Sequence, residues 1–167
     1  MKKSLRKLVS QQIKWSHENQ GLLGAIVALV ALDQVTKLAA RFYLQDNPVE
    51  ILPYFWLNYV ENTGAAFGIL QNGNLVLIFI MISIIGYILW NWRELISFGK
   101  WAKWGAALIL AGAIGNLFDR ITLGYVVDFL DFRVWPVFNG ADSFITVGAC
   151  LLGISFLRHP QQKEERK

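Results

Sequence analysis

Charge is scarce in this chain. Only 17% of its 167 residues are Asp, Glu, Lys or Arg, against 54% hydrophobic, where a soluble domain averages about 25% charged. The deficit argues against a soluble domain and points to lipid. Cysteine is nearly absent: the single Cys150 excludes an internal disulfide framework and a cysteine-based metal site. Histidine occurs only as His17 and His159, outside the apolar region at either end, which removes Ser/His and Cys/His nucleophile systems from its middle. There is no H-E-x-x-H motif for zinc and no phosphate-cradling glycine loop, so no metal or cofactor is implied. The net charge of +4 does not indicate nucleic acid, because the basic residues are segregated at the ends and between apolar stretches.

Long apolar runs are also fewer than the composition suggests. Four uncharged stretches stand out, Gly21–Leu32, Leu75–Trp92, Trp104–Phe118 and Ser143–Leu157. Only the second reaches the ~18–20 residues of a spanning helix. The first has the length of a signal-peptide core, but it ends Ala31-Leu32-Asp33-Gln34 with no small-x-small cleavage site. It reads better as a helix continuing through Leu44, with Asp33, Lys37 and Arg41 at i, i+4, i+8 on one face and Asp33 ahead of Lys37 in the favourable order for an ion pair.

Counting Lys and Arg gives twelve in the two tails and the middle loop against four (Lys37, Arg41, Arg120 and Arg133) in the alternate segments. The positive-inside rule then puts both termini in the cytoplasm and the carboxylate-rich segments outside. The expected fold is an integral membrane, mainly α protein of four transmembrane helices. A single domain spans 1–167: a basic leader at 1–20, in which Trp15 would anchor at the interface, an outer loop at 33–68, a second outer loop at 119–142 and a tail at 158–167. In the first outer loop Asp46-Asn47-Pro48 signals a turn, and alternation of Phe55, Leu57 and Tyr59 with Trp56, Asn58 and Val60 predicts extended chain on the outer surface.

Polar residues gather on that outer side: Asp33, Asn62, Asn116, Asp119, Arg120, Asp128, Asn139 and Asp142. A charged side chain at mid-bilayer costs roughly 2.5–3.5 kcal/mol on insertion scales. Each residue alone has an ordinary explanation: Gly112, Ala113 and Gly115 as close helix packing, Asp142 as a helix cap, Asp119 as the ion-pair partner of Arg120. Together they exceed what packing requires. A proton or ion path would continue into the inner halves of the spans, which carry no ionisable residue, and an assembly subunit would not need two desolvated carboxylates. What remains is carboxylate chemistry, in which one Asp deprotonates water while a protonated partner polarises a carbonyl. Asp119, Asp128, Asp131 and Asp142 are all candidates. Asp119 adjoins an arginine that would hold it ionised, whereas the apolar or small neighbours of Asp128 and Asp142 favour a proton.

Five motifs occur in order: D-Q-x-T-K at 33–37, N-T-G-A-A-F-G at 62–68, G-A-x-G-N-x-x-D-R at 112–120, G-x-V-V-D-F at 124–129 and F-N-x-A-D-S at 138–143. On these the chain resembles the bacterial lipoprotein signal peptidases (signal peptidase II). The resemblance implies an intramembrane aspartyl endopeptidase of the bacterial cytoplasmic (inner) membrane, active near its extracytoplasmic face. It implies cleavage of diacylglyceryl-modified prolipoproteins just before the lipidated cysteine, no cofactor, membrane lipid around the site, and sensitivity to globomycin-type cyclic peptides. It makes Asp128 and Asp142 the catalytic pair, with Asp33, Asn62, Gly112, Asn116, Asp119, Arg120, Asn139 and Ala141 in supporting roles around pair and substrate, and a sheet-like cradle at Phe55–Val60. The chain departs from the family pattern at Ala111, where many members have glycine, and in its long basic leader. Val147-Gly148-Ala149-Cys150 has the look of a lipobox, but it lies inside the last span, where Cys150 is expected to be a small packing residue.

Overall fold

The computed structural model describes residues 2–64, 70 and 73–158, with side chains from residue 20 onward. The elements run α1 (Lys2–Tyr43), β1 (Val49–Leu52), β2 (Phe55–Asn62), α2 (Asn74–Trp90), α3 (Trp92–Ser97), α4 (Lys100–Thr122), β3 (Val126–Asp131) and α5 (Gly140–Arg158).

Three helical segments are long and apolar enough to cross a membrane: Gln20–Tyr43, Lys100–Thr122 and Gly140–Arg158. α2, with 17 residues, falls short of that length. This reverses the ranking by uncharged run, in which the α2 region was longest. The other three helices extend beyond their uncharged cores because charged residues continue their turns, some buried in the protein (Asp33, Lys37, Asp119 and Arg120) and others exposed at the helix ends (Arg41, Lys100). The first helix runs as far as predicted: α1 ends at Tyr43, and the Leu44 N–H still donates to the Ala40 carbonyl at 2.9 Å. The basic leader is continuous with the first apolar segment, since Lys2–Tyr43 is one helix. The side chain expected to anchor at Trp15, and the tail from His159, lie outside the described residues.

α4 sits at the centre, packed on α1, α2, α3 and α5. Eight of its twelve buried residues are small: Ala102, Gly105, Ala106, Ala107, Ala111, Gly112, Ala113 and Gly115. Small residues let backbones approach where lipid offers no hydrophobic drive for helix association. At the α4–α5 contact Gly105 and Gly148 meet reciprocally, so that a Cβ on Gly105 would lie 2.7 Å from the Gly148 carbonyl oxygen and one on Gly148 would lie 2.6 Å from that of Gly105. Gly112 is pressed in the same way against the Ala141 carbonyl and Ile145. Gly148 is therefore the packing residue of the lipobox-like tetrapeptide. Cys150, expected to pack, is exposed on another face of the helix.

The predicted extended segment forms β2 in a three-stranded antiparallel sheet of order β1-β2-β3. β3 was expected only as loop. It pairs Val60 with Asp128 and Asn62 with Val126. Gly124, at φ +87°, makes the turn that brings the chain from α4 into this strand. Alternation along β3 sends Val127 and Phe129 to an apolar cluster with Ala40, Leu44 and Leu57, and turns Val126 and Asp128 to the opposite face.

Candidate active site

Asp128 is held from its own sheet. It is 1% exposed, and the Asn62 side-chain amide on β2 donates to its Oδ2 at 2.8 Å. The Gly64 N–H donates to Asn62 Oδ1 at 3.0 Å, which fixes the way the Asn62 amide faces.

Asp142 is held from the start of α5. The helix begins at Gly140, three residues earlier than the uncharged run, so Asp142 lies in its first turn rather than ahead of it. Asn139 and Asp142 form a reciprocal cap: the Asp142 N–H donates to Asn139 Oδ1 at 3.0 Å, and the Asn139 N–H donates to Asp142 Oδ2 at 3.2 Å. Asn116 on α4 donates to the other oxygen, Asp142 Oδ1, at 2.8 Å. The cap is Asn139 rather than Asp142: Asp142 completes the box from inside the first turn, and that box positions its carboxylate.

Asn139 joins the two acids. Wholly buried, it donates through Nδ2 to Asp128 Oδ1 at 2.6 Å and to Asn116 Oδ1 at 3.2 Å. Burial pushes the Asp128 carboxyl up to about 7 and the neighbouring negative charge of Asp142 adds to it, while the amides of Asn62 and Asn139 and the Lys37 cation oppose the rise. Asp128 is thus a carboxyl able to hold a proton at neutral pH.

Behind the pair lies an ionic cluster. The buried Lys37 ammonium makes the expected i, i+4 pair with Asp33 at 2.9 Å, pairs with Asp119 at 3.0 Å and donates to Asn116 Oδ1 at 2.8 Å. Gln34 donates to Asp119 Oδ1 at 2.9 Å and to the Gly115 carbonyl at 3.2 Å. Asp33 Oδ1 accepts the Ala141 N–H at 2.9 Å, tying α1 to the first turn of α5. Asp119 does not pair with its neighbour Arg120, because consecutive helical side chains diverge by about 100°. Its partners are Lys37, Gln34 and the Val127 N–H at 3.2 Å. Arg120 reaches instead to the Gly64 carbonyl at 2.5 Å and Asn74 Oδ1 at 3.4 Å, and its Nε has no partner among the described residues. Arg41, predicted on the face of Asp33 and Lys37, is exposed. Asp131 pairs with Arg133 at 3.5 Å and accepts the Arg133 N–H at 2.8 Å.

Of the sequence candidates, then, Asp128, Asp142, Asn62, Asn116 and Asn139 form one bonded group, with Asp33 and Asp119 joined to it through Lys37. Gly112 and Ala141 lie at the α4–α5 crossing, and Arg120 beside the cavity. Residues 65–68 of the N-T-G-A-A-F-G motif lie outside the described residues. Gln34 was not singled out, and Lys37 was read only as the ion-pair partner of Asp33, not as a neighbour of the pair Asp128 and Asp142. Among the described residues no three His, Cys, Asp or Glu side chains converge as metal ligands.

Asp128 and Asp142 both face a cavity of about 620 Å³, with Asn62, Asn116 and Arg120 as further polar lining and Leu77, Met81, Val137, Ile145 and Val147 among its apolar walls. That size and character suit a flexible apolar ligand with a few fixed polar contacts.

Residues 25–158 match the signal peptidase (SPase) II family. The chain is 49% identical to a lipoprotein signal peptidase of Caldanaerobacter subterraneus subsp. tengcongensis over 132 residues, 77% of this chain and 90% of that one. It is 39% identical to that of Aeromonas hydrophila over 161 residues, 89% of this chain and 96% of the relative. A bacterial membrane enzyme solved by the in meso method at 2.3 Å superposes with a TM-score of 0.75 at 31% identity, covering 88% of this chain and 93% of the other. The chain belongs to the signal peptidase II family, the lipoprotein signal peptidases.

Proposed function

We propose that this peptidase is an intramembrane aspartyl endopeptidase in which Asp128 and Asp142 are the catalytic dyad. Its substrates are diacylglyceryl-modified prolipoproteins, cut just before the lipidated cysteine. One observation carries the reading: the buried Asp128 and the half-buried Asp142, joined through Asn139, open onto a single cavity with apolar walls.

The dyad shares one proton, since like charges held close resist double ionisation. The ionised member takes a proton from water as its oxygen attacks the scissile carbonyl carbon, and the protonated member gives its proton to the carbonyl oxygen. As the resulting diol collapses and the C–N bond breaks, the carboxyl now protonated gives its proton to the leaving amine while the ionised carboxylate takes one from a diol hydroxyl, which restores the singly protonated dyad. Asn62, Asn116 and Asn139 hold the carboxylates in place throughout. Arg120 offsets part of their negative charge, and the apolar walls take the signal peptide and the lipid chains. Globomycin-type cyclic peptides occupy the same cavity.

The molecule is a single domain of four spans, α2 being the shortest, with both termini on the cytoplasmic side of the bacterial inner membrane. Its sheet and dyad lie near the extracytoplasmic face, where water reaches the site. The test is to incubate the purified protein with a prolipoprotein carrying diacylglyceryl on its cysteine and with the same precursor unlipidated. Mass spectrometry should find a product beginning at the lipidated cysteine and no cut in the unlipidated precursor. Equal cleavage of both, or a cut elsewhere, contradicts the assignment.

A further inference from the structure

Lys37 spends all three of its N–H donors inside the protein, on Asp33 at 2.9 Å, Asp119 at 3.0 Å and Asn116 Oδ1 at 2.8 Å. The third is the informative one. A primary amide is nearly symmetric in shape, so sterics alone would let Asn116 sit either way round. Turned over, it would set its NH2 against an ammonium and against the Asn139 NH2, and its oxygen against Asp142 Oδ1. As it stands, Asn116 Oδ1 accepts from Lys37 and from Asn139 at 3.2 Å, and its Nδ2 donates to Asp142 at 2.8 Å.

We propose that Lys37 is a positioning residue for the dyad, fixing through Asn116 the direction of the hydrogen-bond donor that holds Asp142. This rests on the assignment of Asp128 and Asp142 as the reacting pair. The bonds run one way, from ammonium to Asn116 oxygen and from Asn116 nitrogen to Asp142. Bonds whose donor is charged are the stronger ones. Asp33 and Asp119 hold the ammonium at this spot, and Gln34 bonds both of them, at 3.2 and 2.9 Å. A cation paired only for stability would need no contact to the amide. The charged groups around the dyad are Asp33 and Lys37 from α1 and Asp119 and Arg120 from α4; the two cations, Lys37 and Arg120, oppose the rise at Asp128.

The experiment measures kcat, KM and the pH profile on a lipidated precursor for Lys37→Met, Asn116→Ala and the double variant, with Asp128→Asn and Asp142→Asn in parallel. Lys37→Met should lower kcat at least 10-fold, change KM less than 3-fold and move the alkaline limb upward. Adding it to Asn116→Ala should cost less than 3-fold more, because both changes break the same connection. Should Lys37→Met fail to fold, the Asp33→Asn/Lys37→Met/Asp119→Asn variant, which leaves no buried charge in the cluster, should fold and show the same loss of kcat. A folded variant with wild-type kcat and profile, or losses that multiply in the double variant, overturns the proposal. Activity persisting in Asp128→Asn or Asp142→Asn overturns the dyad assignment instead.

Discussion

Asn139 and Asp142 cap one another, each backbone N–H donating to the other's side-chain oxygen at 3.2 and 3.0 Å. A helix start thereby serves as a mount. The cap fixes the Asp142 carboxylate at the first turn of α5 and leaves the Asn139 amide nitrogen free to reach Asp128 at 2.6 Å. Replacing Asn139 separates the two duties. Asn139→Ala should cost about 1 kcal/mol of stability through the lost cap and lower kcat about 100-fold, the lower end of what proton transfer contributes. Asn139→Ser keeps a capping oxygen, so it should recover the thermal midpoint in detergent without recovering kcat. Recovery of both would mean that the contact to Asp128 is idle.

The pH profile follows from the shared proton. Asp128, pushed up to about 7 by burial and by the charge of Asp142, holds its proton below that value and loses it above. Cleavage should decline as pH rises through about 7, when the pair becomes doubly ionised, and the apparent midpoint belongs to the dyad rather than to one residue. A rate flat from pH 6 to 9, measured on a lipidated precursor, would show that no such proton is used.

Gly115 makes room for a charge. A Cβ there would lie 2.5 Å from Asp33 Oδ2, so Gly115→Ala should displace the carboxylate that holds Lys37 and the Ala141 N–H. Overpacking of this kind costs about 1–3 kcal/mol, read as a lower thermal midpoint. An unchanged midpoint would mean that the Asp33 cluster is loose.

Topology is open to chemical labelling. In a Cys150→Ser background, a cysteine placed at Glu50 on β1 should react with a membrane-impermeant maleimide added outside the cell, and one at Lys100 should react only after lysis. The opposite pattern would reverse the orientation.

Much of the helical framework was legible in the sequence. The helix through Leu44, the pairing of Asp33 with Lys37, the small-residue face of α4 and the strand at Phe55 all followed from local spacing. Span lengths did not, because charged residues buried by tertiary contacts, such as Asp33, Lys37 and Asp119, interrupt an apolar count without interrupting a helix. β3 was missed because V-V-D-F is too short to be told from loop until β2 pairs with it. The partner of Asp119 was misread for a similar reason: its neighbour in sequence points elsewhere, and its true partner comes from another helix. Spacing gathered a polar set most of which the fold brings together, but it could not say that Asp131 belongs to Arg133, or that one asparagine would join Asp128 to Asp142.

The most direct test of the dyad is the pair of isosteric substitutions Asp128→Asn and Asp142→Asn, assayed with saturating diacylglyceryl-modified prolipoprotein. An amide cannot exchange the shared proton, so each variant should lose at least about 1,000-fold in kcat, within the range for general acid–base groups, while its thermal midpoint and detergent elution volume stay close to wild type. Cleavage within 10-fold of wild type by either folded variant would contradict the dyad.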